Sequence, residues 1–281
     1  MKFKVTGKLG YDIKESATFI LNIHAFRNAA QTVLEESFKI EPYFKTEELV
    51  SQHGENRYVR FEVTKPTIVN IEYNALIDTS YQKIDGKLLD NVPVMQLDAS
   101  VLPYLSPSRY CQSDKLYRFA NSRFGTIENA FEKVLALTKW INTNVEYLSG
   151  STDSQTSAYD TATEQAGVCR DFAHLGIALC RALSIPARYF TGYSYLLNPA
   201  DFHACFEAFL GGQWVIFDAT HLAPLNGLVK IATGRDAADT AIATIFGDVA
   251  CTFISAACEL AEDSFEPVYY DGKKHFGFTY L

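Results

Sequence analysis

The sequence predicts an α+β protein in which an antiparallel β-sandwich precedes a region of helices and antiparallel strands. Residues 1 to about 105 carry alternating or apolar strand patterns, and no helical periodicity competes with them. Helical periodicity appears later, over residues 126–142 and 170–183. The chain has 281 residues, which suggests two domains or one large one, and 48% of the residues are hydrophobic, which is enough for a sizeable core. We therefore expect a sandwich over residues 1–105 and a second domain over residues 106–281.

In the first domain, short segments with the composition of strands alternate with turn-forming residues. A turn is predicted at residues 53–56, and several strands connected in this way favour a sandwich. The stretch from 91 to 113 contains three prolines and marks the domain boundary. The predicted strands cover residues 3–9, 17–23, 31–40, 57–63 and 67–73.

In the second domain, a helix is predicted from Thr126, a plausible N-cap, to about Asn142. Residues 149–160 are small and polar and predict a loop, and residues 161–164 resemble a capping box for a short helix. A further helix over residues 170–183 ends before Pro186, because proline disfavours helical geometry in the residue before it. Residues 243–261 are apolar but contain two acidic residues, which predicts buried strands and no membrane span.

A β-hairpin is predicted at residues 203–210 and 213–218, because a Gly-Gly pair separates two strand-like runs. A two-residue loop pairs Leu210 with Gln213, and Cys205 then faces Asp218. In that register His203, Cys205 and Asp218 share one face of the hairpin. His203 and Asp218 become diagonal neighbours at roughly 7–8 Å, within reach of an imidazole and a carboxylate.

Cys169 is predicted to lie in the first turn of the helix that follows it. Unpaired N–H groups and the positive end of the helix dipole favour a thiolate there, and they would face an oxyanion formed by attack at the sulfur. The sequence thus predicts a site in which Cys169 attacks a carbonyl carbon, His203 transfers the proton, and Asp218 orients the imidazole.

Each of these residues has a more common structural role when it is considered alone. Cys169 could be a buried small hydrophobe, His203 a residue at the exposed end of a strand, and Asp218 a turn or cap residue. Three such residues at three predicted element ends, two of them on one face, favour catalysis over these roles.

Other residues near the predicted site have no assigned role. Glu207 shares the predicted face of His203, although a solvent-facing strand carboxylate is the more common case. Tyr147, Tyr159 and Tyr193 are candidates for the wall of a cleft, although packing is the more common role of each. The loop over residues 149–160 either lines that cleft or is a solvated connector. The sequence identifies no second oxyanion donor beyond the first-turn N–H groups.

Several segments of the second region carry motifs beyond the three site residues. They are 167–173, 181–188, Gly192-Tyr193, His203-Ala204 with Glu207, Trp214 followed by 218–220, 234–239, and the upstream helix pattern of Trp140-Ile141, Asn144 and Tyr147. Together they resemble transglutaminase-like cysteine enzymes of the bacterial branch, in which a β-rich domain comes first. The resemblance covers most of the chain and is specific over about residues 134–240.

Two positions depart from the family pattern: Cys205 stands where relatives often have tryptophan, and Ala219 stands where proline is usual.

This resemblance implies a papain-like fold in the second domain, with Cys169 as the nucleophile, His203 as the base and Asp218 as the orienting acid. Such enzymes form a thioester and release an amine, and then pass the acyl group to water or to another amine. The substrate implied is a peptide or a protein. The departure at Cys205 lies next to the predicted site and removes none of the three groups.

Composition narrows the remaining possibilities. The net charge of −8 argues against a nucleic-acid binder, which would carry a clustered basic face. The six cysteines form no CxxC pair and do not resemble a disulfide scaffold, so reduced thiols in a cytoplasmic protein fit better. His203, Cys205 and Cys169 are metal-ligand types, but we expect neither a metal nor a cofactor. The N-terminus has no apolar region typical of a signal peptide, and no membrane association is expected.

Three functions remain open from the sequence. The leading hypothesis is a cysteine-dependent peptide or amide hydrolase, and the alternative chemistry is acyl transfer to an amine, as in a transglutaminase. No acidic cluster resembles a calcium loop, so a calcium-switched crosslinking enzyme is less favoured than a hydrolase. A binding module that keeps the fold without turnover is the third, and the intact triad argues against it.

Overall fold

Four helices and sixteen strands make up the protein in a computed structural model that describes residues 1–51, 56–270 and 275–280. Most of the turn predicted at 53–56 lies outside the described residues. The helices are α1 Ser113–Phe124, α2 Ala130–Asn144, α3 Ala158–Glu164 and α4 Cys169–Ala182. The strands are β1 Lys2–Ile13, β2 Ala17–Leu21, β3 Gln31–Glu41, β4 Glu47–Val50, β5 Arg57–Val63, β6 Thr67–Thr79, β7 Gln82–Asp85, β8 Glu146–Tyr147, β9 Ala166–Gly167, β10 Ala187–Ser194, β11 His203–Leu210, β12 Gln213–Phe217, β13 Leu228–Gly234, β14 Ala243–Phe246, β15 Val249–Leu260 and β16 Phe276–Thr279.

Two four-stranded antiparallel sheets form the first part of the protein, as the sequence predicted. Their strand orders are β15-β1-β6-β3 and β14-β2-β5-β4. Alternate residues of β1, β5 and β6 point into a shared apolar core. The rings of Phe19 and Phe61 stack there with their centroids 4.8 Å apart. All five predicted strands are present, and the α+β class is confirmed.

The last strands of both sheets come from the C-terminal half of the chain. β14 pairs with β2, and β15 pairs with β1 over most of its length. The predicted division at residue 105 therefore does not follow the pairing of the sheets. Residues 243–261 do form strands, but the expectation that they are buried is wrong: Phe246 and Ile254 are 61% and 50% exposed. Both strands lie at a sheet edge, and every residue of β15 from 250 to 255 is exposed.

The second core combines α1, α2 and α4 with a third antiparallel sheet of order β12-β11-β10-β13. The close packing of α4 on this sheet depends on Gly176, because a Cβ at that position would lie 2.5 Å from the ring of Phe206. The predicted hairpin is confirmed with Leu210 opposite Gln213. Gly211 and Gly212 both have positive φ angles, 56° and 82°, which suits a two-residue type I′ turn.

Two predicted helix starts are wrong. α2 begins at Ala130, because the Asn129 side chain accepts the backbone N–H of Glu132; Thr126 instead lies in the turn after α1. α3 begins at Ala158, where the Asp160 carboxylate accepts the backbone N–H of Ser157 at 2.9 Å. In both places the helix is capped by a residue other than the predicted one: Asn129 caps α2, and Ser157 together with Asp160 caps α3. Across the described ranges, none of the helices combines the length and apolar character that crossing a membrane requires.

Candidate active site

Cys169 is the first residue of α4, and the chain before it is held firmly in place. β8 and β9 pair in parallel, and the Asp171 carboxylate accepts the backbone N–H of Val168 at 2.9 Å. Asp171 is fully buried, and a Cβ at Gly167 would lie 2.8 Å from its Cβ. The glycine thus lets the chain pass close to the helix cap. Cys169 is presented with the first-turn N–H groups around it, as the sequence predicted.

His203 and Asp218 form a buried hydrogen-bonded pair. His203 Nε2 lies 3.0 Å from Asp218 Oδ2, and the two side chains are only 1% and 2% exposed. The other carboxylate oxygen accepts the backbone N–H and the hydroxyl of Thr220, at 2.9 and 2.7 Å. Ala223 N–H donates to Oδ2 at 3.3 Å. These donors fix the carboxylate, and the carboxylate fixes the ring.

Each residue of this pair shifts the pKa of the other toward the charged form. Burial alone would lower the pKa of His203, but the Asp218 carboxylate, a hydrogen bond to that carboxylate and the nearby Cys169 thiol hold it well above its usual value. Burial would raise the pKa of Asp218, but the His203 charge and the hydrogen bonds from His203 and Thr220 lower it. An imidazolium facing a carboxylate is therefore the favoured state of the pair.

Cys169 and His203 line the same cleft, so the structure brings together all three residues that the sequence singled out. His203 Nδ1 makes no hydrogen bond of standard geometry to the described residues, but the Cys169 thiol is close enough to raise the imidazole pKa. With Nε2 bonded to Asp218, Nδ1 is the nitrogen left to exchange a proton with the sulfur. The catalytic roles of the three residues stay a prediction.

Cys205 lies behind this pair. Its Sγ, a ring nitrogen of His203 and a carboxylate oxygen of Asp218 are all within 4.8 Å of one another, and these are the residues in the described part of the chain that could hold a metal ion together. Burial raises the pKa of Cys205 to about 12. The thiol is therefore neutral at physiological pH, although a metal ligand would have to be a thiolate.

The cleft beside Cys169 and His203 has a volume of about 420 Å³. Tyr110 and Tyr189 line it, with residues of the segment that links β13 to β14. Among the tyrosines proposed from the sequence, Tyr193 belongs to the sandwich core and Tyr159 packs under the Lys115 ammonium. Tyr110 was missed because it comes from a connecting segment without a motif. Tyr189 was missed because the motif on its strand, β10, pointed to Tyr193 instead.

Tyr147 has a closer connection with the nucleophile than the sequence indicated. Its ring packs on Phe172 of α4 with the centroids 5.8 Å apart, and its hydroxyl is near enough to the thiol and the backbone N–H of Cys169 for both to affect the hydroxyl pKa. Burial and the neighbouring Cys169 thiol raise its pKa. The hydroxyl therefore occupies a position next to a first-turn N–H group, where an oxyanion would have to bind.

Glu207 is not the solvent-facing carboxylate that the sequence favoured. It is 1% exposed and accepts hydrogen bonds from Arg188 Nε at 2.5 Å and from Lys230 Nζ at 2.8 Å. Burial would raise its pKa, but these two cations lower it. The three side chains come from β11, β10 and β13 and stabilise the sheet that carries His203.

A helix that begins at a cysteine, and a hairpin that holds a His–Asp pair beside it, define the protein as a cysteine-dependent enzyme of papain-like fold. A family model described as the transglutaminase-like superfamily matches residues 118–219, and one described as the bacterial transglutaminase N-terminal domain matches residues 1–100. The chain belongs to the transglutaminase-like superfamily.

Individual relatives agree with this assignment. A solved structure from Cytophaga hutchinsonii, described as that of a proposed cysteine protease, is 55% identical, covers 100% of this chain and 98% of its own, and superimposes with a TM-score of 0.98. A protein of Mycobacterium leprae, described as uncharacterized, is 23% identical over 257 residues, which span 85% of this chain and 91% of that protein. The similarity therefore extends over both parts of the fold.

Proposed function

We propose that the protein hydrolyses peptide or amide bonds through a thioester on Cys169. The observation that carries this proposal is the buried His203–Asp218 pair, 3.0 Å apart, in the same cleft as the first residue of α4. The pair holds an imidazole in the cleft of Cys169, where it can exchange a proton with the sulfur during attack at a carbonyl carbon.

The proposed reaction has two stages. The Cys169 sulfur attacks the carbonyl carbon of the amide, and the first-turn N–H groups of α4 stabilise the oxyanion. His203 donates a proton to the departing amine, and the thioester remains. His203 then takes a proton from water, which attacks the thioester and releases the acid. Asp218 keeps the ring oriented and supports its positive charge throughout.

The chain contains an internal reference for the reactivity of Cys169. Cys251 is an exposed free thiol on β15, whereas Cys169 is only half-exposed. If accessibility alone decided the rate, iodoacetamide at neutral pH would modify Cys251 faster. We expect the reverse, measured by mass spectrometry of the two peptides, and we expect the advantage of Cys169 to disappear in His203→Ala. A rate at Cys169 no higher than that at Cys251 would contradict the proposed function.

Acyl transfer to an amine uses the same thioester and is the alternative that the family name favours. A glutamine peptide offered with and without a primary amine separates the two chemistries, because only the transferase forms the amide adduct. The proposed substrate is a peptide or protein, and the expected cytoplasmic location is testable by cell fractionation.

A further inference from the structure

We propose that the cleft beside Cys169 selects a large uncharged apolar side chain next to the scissile amide and rejects a basic one. This inference rests on the proposed function, because it concerns the substrate of the same site. A volume of about 420 Å³ falls in the range of about 300–1,000 Å³ that is typical of small-molecule pockets and leaves room for a bulky side chain.

Small and apolar residues form most of the wall of this cleft. Four alanines leave the space open, and Phe202 and Ile242 supply apolar surface. Each of these side chains would gain from contact with an apolar group of the substrate. A short side chain would leave the space filled with water. The alanines are Ala204, Ala237, Ala241 and Ala243.

Two hydroxyl groups of the cleft already donate to protein acceptors. Tyr110 Oη donates to the carbonyl of Ser154 at 2.9 Å, and Thr240 Oγ1 donates to the carbonyl of Asp236 at 3.3 Å. A polar side chain of the substrate would therefore lose its hydration without gaining a hydrogen bond from either of these two hydroxyls. Such a loss disfavours its binding.

The charge around the cleft disfavours a cation. Arg170 and His203 are the ionisable bases that line it, and within the described residues no acidic side chain does. Arg170 is fixed at the mouth, because its Nη2 donates to the carbonyl of Asp153 and its guanidinium lies over Tyr110, 5.9 Å from the ring centroid. Asp171 Oδ1 lies 3.5 Å from Arg170 Nε but does not line the cleft. A lysine or arginine of the substrate would thus meet the Arg170 guanidinium and no carboxylate in the cleft wall.

The test uses the full chain and internally quenched peptides that vary each residue flanking the cleaved bond. At one flanking position we expect kcat/KM for phenylalanine and leucine to exceed that for glycine and lysine by about 10-fold or more. Equal rates for lysine and leucine at every position would overturn the inference, whereas preferential labelling of Cys169 would still support the proposed function. Failure of that labelling would overturn both.

Substitutions in the cleft wall test whether the preference for apolar side chains arises in this cleft. Ala241→Phe fills it, and we expect the advantage of the phenylalanine and leucine peptides to fall about 10-fold while the glycine peptide changes little. Ala238→Phe is the matched control, because Ala238 is exposed on the same segment and does not line the cleft. An equal loss for all peptides in Ala241→Phe, with Cys169 labelling intact, would overturn the inference.

A second variant covers the case in which Ala241→Phe disturbs the fold. Ile242→Ala enlarges the cleft and removes apolar surface, so we expect the leucine peptide to lose rate relative to a tryptophan peptide. An unchanged leucine-to-tryptophan ratio would place the selective surface elsewhere and overturn the inference.

Discussion

Asp218 controls the proton of His203, because it supplies both the charge and the hydrogen bond that hold the imidazole in place. Asn in its place keeps a similar shape but removes the charge. The pKa of His203 should then fall, and the ring should lose its imidazolium form at lower pH. The His203 ring and the side chain at position 218 are both buried, so water cannot compensate for the missing charge.

We therefore expect Asp218→Asn to lower kcat/KM at neutral pH by roughly 10²–10⁴-fold. The alkaline limb of the pH–rate profile should also move to lower pH, since the imidazolium is the form that protonates the departing amine. A purely structural role of Asp218 would lower the rate without moving that limb. Asp114→Asn, an exposed carboxylate of α1, is the control and should leave the profile unchanged.

At the scale of single residues, the sequence predicted the three groups of the candidate site because each stands at the end of a strongly patterned element. The contacts of Tyr147 and Glu207 were not predictable in this way. Tyr147 lies against the first turn of α4 because β8 and β9 pair. Glu207 is buried only because Arg188 and Lys230 arrive on neighbouring strands, which no local pattern records.

Among the secondary-structure elements, those with a strong local sequence pattern were also predictable, and those that depend on tertiary packing were not. α4 and the β11–β12 hairpin were predictable, because apolar periodicity and a Gly-Gly loop leave few alternatives for their boundaries. α1 was missed because its buried apolar residues, Leu116, Ala120 and Phe124, form a narrow stripe in a polar segment. Its position depends on α4, against which it packs.

The sheet that carries His203 depends on its buried ion pairs. Glu207→Gln would leave Arg188 and Lys230 without this anionic partner, in side chains that are 7% and 4% exposed. We expect a loss of about 3–5 kcal/mol in the free energy of unfolding, measured with urea at pH 7. Glu47→Gln is the control, because its ion pair with Arg60 is exposed and should contribute about 1 kcal/mol or less.

The pH dependence gives a second check on Glu207. Its pKa is lowered in the folded protein, so its stabilising contribution is present above the unfolded value of about 4.3 and is lost as the pH falls through the folded value. The difference in stability between the native protein and Glu207→Gln should therefore shrink below about pH 4. A difference that is independent of pH would show that packing, and not charge, causes the loss.

In the whole molecule, the sandwich and the catalytic core are interlocked. β14 and β15 complete the sheets of the sandwich, although they follow the catalytic sheet in the chain. In return, side chains of the sandwich cover the outer edge of β13: Gln31 exchanges two hydrogen bonds with the backbone of Lys230, and Asn56 does the same with Thr233. The sequence predicted the two regions but not this exchange, because strand pairing between distant segments leaves no local pattern.

This exchange predicts that the two cores unfold together. Four residues of β10 and β13 lie in the core of the sandwich, so disrupting that core exposes part of the catalytic sheet. They are Tyr193, Val229, Ile231 and Ala232.

Phe61→Ala tests this expectation from within the core of the sandwich. It should cost about 3–5 kcal/mol, because Phe61 is buried and stacked on Phe19. Both tryptophans, Trp140 and Trp214, belong to the second part of the chain, so their fluorescence reports on the catalytic core. We expect the urea midpoints from fluorescence and from far-UV circular dichroism to coincide and to fall together in the variant.

Tyr43→Ala, at an 85% exposed position, should leave both midpoints unchanged. If Phe61→Ala shifted the circular dichroism alone and left the tryptophan transition in place, the cores would be independent.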